Sequence, residues 1–89
     1  MSPFEFQFPK INARNDLMEQ LLKIREEVDE AIDALSKGEG PLRVTEELMD
    51  VLQSTETGIE KVRLDQYALN AVKAGVIAKN AERGYYDAA

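Results

Sequence analysis

From Leu17 to Leu35 apolar side chains return every three or four residues: Leu17, Leu21, Ile24, Val28, Ala31 and Leu35. That is the period of one helix face and not of a strand. Asp16 followed by Glu19 resembles a capping box, which starts the helix near Asn15 or Asp16. Gly38 stops it after about Ser36, with Lys37 placed to complement the helix dipole. "KGEGP" is a short turn, and Pro41 suits the first position of a second helix. Its stripe is Val44, Leu48, Val51, Leu52, Thr55 and Ile59. "STETG" is weak in helix formers, so the second helix is expected to end at about Thr57, with a break near Gly58. A third helix is expected over about 60–83, ending at Gly84.

Short connections between long helices make antiparallel neighbours, so the expected fold is all-α: an antiparallel bundle of about three helices per chain. The third helix is apolar nearly all round, with Leu64, Tyr67, Ala71, Val72 and Ala78 on one face and Leu69, Val76 and Ile77 on others. Such a helix must be covered on more than one side. Two partner helices in 89 residues cannot do so, and completion by oligomerisation, as a homodimer or homotetramer, is expected. The small residues of "NAVKAGVIA" permit close helix approach. Residues 1–11, with "FEFQF" ahead of Pro9, read as an extended arm; 12–86 form the helical domain and 87–89 a tail. No internal repeat stands out.

The net charge of −6 argues against binding a nucleic-acid polymer or an anionic membrane surface. No apolar run approaches the length of a membrane span, and the first residues lack the pattern of a signal peptide, so a cytoplasmic protein is expected. There is no Cys and no His, which removes thiol nucleophiles, imidazole bases and the usual zinc sites. Chemistry is left to carboxylates, Lys, Arg and hydroxyls, helped by a metal that prefers oxygen.

The acidic residues are therefore the informative ones. Relative to the stripe, Glu27 and Glu30 of the first helix are displaced by roughly 80° and 140°, and Glu47 and Asp50 of the second by roughly 90° and 150°, all in one sense. Antiparallel helices packed stripe to stripe are related by a dyad, which preserves handedness, so these four converge at one edge of the groove. Glu26, Asp29, Asp33 and Glu46 face water. Two carboxylates about 6 Å apart repel by roughly 0.7 kcal/mol in water and nearly 3 kcal/mol at an effective dielectric of 20. Two readings stay open: a solvated acidic face, and a nest for Mg²⁺ or Mn²⁺ held by oxygen ligands alone. On the third helix Lys79, Asn80 and Arg83 lie within roughly 100° of one another, as a phosphate and base contact or as charge complementing the helix C-terminus. Lys23 lies beside Glu27 and Glu30, where it would neutralise the nest or touch a phosphate.

"EEVDE" (Glu26, Glu27, Glu30), "ELMD" (Glu47, Asp50) sixteen residues on, and "KNAERGYY" together resemble the MazG-like, all-α nucleoside-triphosphate pyrophosphohydrolases, over about residues 12–86. The short chain is similar to the phage-type members. The resemblance implies a Mg²⁺-dependent enzyme that cleaves a nucleoside triphosphate to the monophosphate and pyrophosphate. Glu27, Glu30, Glu47 and Asp50 would be the metal ligands and Glu26 a secondary catalytic participant. With no His in the chain, proton acceptance falls to Glu27 or Glu30. Lys79, Asn80, Arg83 and Lys23 would contact substrate, although many relatives carry Lys four residues before the Asn, where Val76 stands here. The alternatives are a phosphoribosyl-ATP pyrophosphohydrolase-like enzyme and a non-catalytic helical dimerisation module.

Overall fold

The computed structural model describes Phe6 and residues 15–87; the rest of the expected arm, residues 12–14 and the last two residues lie outside the described part. Three helices account for the described fold, in the order α1 (Leu17–Ser36), α2 (Pro41–Val62) and α3 (Gln66–Glu82), with no strand among the described residues. The all-α expectation holds.

Both ends of α1 follow from local chemistry. Asp16 accepts from the Glu19 N–H (2.7 Å), and Glu19 accepts from the Asp16 N–H (3.2 Å). At the other end the Gly38 N–H donates to the Leu35 carbonyl and the Glu39 N–H to the Ala34 carbonyl. This reciprocal pair needs a left-handed residue, supplied by Gly38 at φ +66. Pro41 is the first residue of α2, as expected.

The second boundary differs from expectation. α2 does not break at Gly58 but runs to Val62 and ends on Arg63, which takes the left-handed conformation. α3 then begins at Gln66, not near residue 60, where the Asp65 side chain accepts from the Ala68 N–H (2.8 Å). Gly58 is a site of close approach rather than a breaker: a Cβ there would sit 3.5 Å from Ile24 Cδ1 and 3.7 Å from Gln20 Cγ. Those are ordinary contacts, and the glycine is inside a helix. Gly58→Ala is therefore expected to stabilise the protein by about 0.5–1 kcal/mol through helix propensity, read from chemical denaturation; a loss of stability would contradict this packing.

α1 and α2 form an antiparallel hairpin. Gln20 Nε2 donates to the Ser54 carbonyl (2.9 Å) near one end, and Lys61 Nζ to the Asn15 carbonyl (2.7 Å). The helices do not meet stripe to stripe. The buried residues are Gln20, Ala31 and Ala34 on α1 and Glu47, Ser54, Thr57 and Gly58 on α2. The buried residues are thus centred about 70° from the apolar stripe on α1 and about 110° from it on α2, in each case toward the acidic side. The small residues of the seam let the backbones approach, where facing leucines would hold them apart. The consequence is an apolar side of the hairpin that is open among the described residues, with Leu21, Val28 and Leu35 from α1 and Leu48 and Ile59 from α2 all exposed.

α3 shares no extended packing with either helix and buries none of its residues. Tyr67, Val72, Val76 and Ile77 are exposed along it. It ends as expected at Gly84, through hydrogen bonds from the Gly84 N–H to the Ala81 carbonyl and from the Tyr85 N–H to the Asn80 carbonyl. No described helix is long and apolar enough to cross a membrane.

Candidate metal centre

The roll of α1 against α2 carries the acidic residues into the seam. Glu27 and Glu30 of α1 and Glu47 of α2 each place a carboxylate oxygen so that all three lie within 4.8 Å of one another. Their surroundings are graded. Glu47 is 3% exposed, Glu27 is half-buried and Glu30 stands at the open rim. At this separation the Glu27–Glu47 pair alone repels by about 3.5 kcal/mol at an effective dielectric of 20, so the arrangement needs positive charge.

Two basic side chains supply part of it. Lys23 Nζ lies 3.3 Å from Glu27 Oε1, and Arg43 Nη2 forms a salt bridge with Glu47 Oε1. Arg43 also reaches Glu46 Oε2 (3.0 Å) and Glu39 Oε1 (3.7 Å). The second oxygen of the buried Glu47, Oε2, has no hydrogen-bond partner among the described residues. A buried carboxylate oxygen without a donor is a place for a cation. Oxygen-only donors in a chain without His or Cys fit Mg²⁺ or Mn²⁺.

The Glu27 carboxylate beside Glu30 raises the Glu30 pKa above its ordinary 4.5, helped by desolvation and by the charge of Glu47. The sign of the effect on stability follows. Well below pH 4.5 Glu30 is protonated in both folded and unfolded chains; as pH rises the unfolded chain loses this proton first, so stability drains away until the folded carboxyl also ionises. In metal-free protein Glu30→Gln should therefore melt progressively higher than wild type as pH rises above 4.5, and a pH-independent difference between the two in chelator would refute the coupling.

The other sequence-predicted residues are placed differently. Asp50 is exposed, lies outside the group of three, and borders a shallow depression with Glu46 and Met49. Glu26 is exposed and touches the centre only through its charge on Glu30. Lys23 is at the centre, on Glu27. Lys79, Asn80 and Arg83 sit together at the end of α3, but that helix does not pack on the hairpin, so the chain by itself does not bring them to the carboxylates.

Arg43 was missed, and the signal for it is a short internal repeat. "KIREEVDE" (Lys23 to Glu30) and "RVTEELMD" (Arg43 to Asp50) share one pattern, a base, then paired glutamates, then an acid. The same spacing on two antiparallel helices gives two similar ion pairs. Gln20, which lies off the apolar stripe, is fully buried, its Oε1 without a partner among the described residues. Comparison with protein-family models, with curated proteins and with solved structures finds no match for the chain.

Proposed function

We propose that this chain is a Mg²⁺-dependent, cytoplasmic nucleoside-triphosphate pyrophosphohydrolase of the MazG-like kind, working as a homodimer. The observation that carries the reading is the nest itself: three carboxylates from two helices within 4.8 Å, one of them buried with an oxygen that has no partner among the described residues. It occurs at the residues whose motif resembles that family.

Glu27, Glu30 and Glu47 would hold the ion, with Asp50 beyond them on α2. Bound there, Mg²⁺ would polarise phosphate oxygens and lower the pKa of a water. Of the two carboxylates left open as proton acceptor, Glu30 is the exposed one and the one whose affinity for a proton its neighbours raise, which suits it to the task. Lys23, already on Glu27, is free to turn its ammonium toward an incoming phosphate at small cost because its pair is solvent-exposed on one side. Lys79, Asn80 and Arg83 would reach the phosphates only in an assembly that brings an α3 against a hairpin, and the apolar side open among the described residues favours such an assembly.

A panel of nucleoside triphosphates assayed for pyrophosphate release with and without Mg²⁺ tests the reading. Release of pyrophosphate from at least one, abolished by chelator, is expected; no turnover of any, together with no stabilisation by Mg²⁺, would leave a helical interaction module as the better account.

A further inference from the structure

We propose that Arg43 makes Glu47 a one-oxygen ligand and so biases the nest toward small octahedral cations, Mg²⁺ and Mn²⁺, against Ca²⁺. The inference rests on the metal reading above and adds a residue to it. Arg43 holds Oε1 of Glu47, while Oε2 is buried and has no partner among the described residues. The guanidinium is itself anchored by Glu39 and Glu46, so it does not swing away freely. A base in the first turn of α2 is disfavoured by the helix dipole, and these carboxylates are what hold it there.

The coordination chemistry then follows. Ca²⁺ takes six to eight oxygens and commonly uses both oxygens of a carboxylate; Mg²⁺ demands near-ideal octahedral geometry with short bonds and keeps waters. A glutamate with one oxygen committed to a guanidinium suits the second ion and handicaps the first. Arg43 acts here as a positioning residue, through Glu47.

The test is the ratio of Mn²⁺ to Ca²⁺ affinity, measured by calorimetry on the full chain without substrate. In Arg43→Met the ratio should fall by about tenfold, because Glu47 gains its second oxygen for Ca²⁺. Arg43→Lys should restore most of it, since Lys23 on Glu27 shows that a lysine reaches across the same spacing. A general loosening of the fold would weaken both ions together and leave the ratio unmoved, which would overturn the proposal. A Mn²⁺-loaded crystal structure of the unaltered protein gives a check that needs no variant: Glu47 binding through both oxygens would also overturn it. Wild-type protein that binds neither Mn²⁺ nor Ca²⁺ would remove the metal reading itself, a result distinguishable from an unchanged ratio in a protein that does bind.

Discussion

Replacing Glu47 by Gln should abolish the proposed stabilisation of the protein by Mg²⁺ and Mn²⁺ and lower the proposed pyrophosphate release by about 1,000-fold or more. Glu47 is the buried member of the nest, and its Oε2 has no donor among the described residues. The amide keeps the size of the side chain and removes the charge that a divalent ion requires. Metal-free stability should move by no more than about 1 kcal/mol, because Arg43 keeps Glu39 and Glu46 and no charge is stranded in the interior. The two readouts separate the explanations: Glu47→Gln that melts like wild type in chelator yet still gains stability with Mg²⁺ would place the ion elsewhere. A variant that simply unfolds would mark Glu47 as structural.

Leu48→Glu should convert the proposed dimer into a weakly associating or partly unfolded chain, with the dissociation constant raised by about 1,000-fold or more. Leu48 is 55% exposed and belongs to the apolar side that the roll of α1 and α2 leaves open. On a lone chain the substitution would cost under about 0.5 kcal/mol, as at any exposed position. Against a second copy it would bury a carboxylate in an apolar interface, which costs several kcal/mol. The buried apolar residues of the described hairpin are Ala31 and Ala34, too little for independent stability, so the wild-type melting temperature should rise with protein concentration. Light scattering that finds a compact wild-type monomer at micromolar concentration, melting at the same temperature as Leu48→Glu, would defeat the dimer.

The three helices, the capping box at Asp16, the stop at Gly38, Pro41 at the head of α2 and Gly84 at the end of α3 were all legible from the chain, because each depends on a few neighbouring residues. The expected convergence of four acids was met by three, Glu27, Glu30 and Glu47, with Asp50 left outside, since the phase of a helix is a property of its own sequence and the way two helices meet is not. The break near Gly58 was misjudged because glycine has two uses, and only the position of Ile24 and Gln20 across the seam distinguishes close approach from termination. The same ambiguity hid the roll of the helices. Periodicity says which residues share a face, but which face meets which is decided by how closely backbones pack, and here Ala31, Ala34, Ser54 and Gly58 allowed an approach that the leucines would have blocked. Local rules thus set the helices and the side of each on which its acids lie; the meeting of those acids, the burial of Glu47 against Arg43 and the apolar side open among the described residues came from packing between residues far apart along the chain.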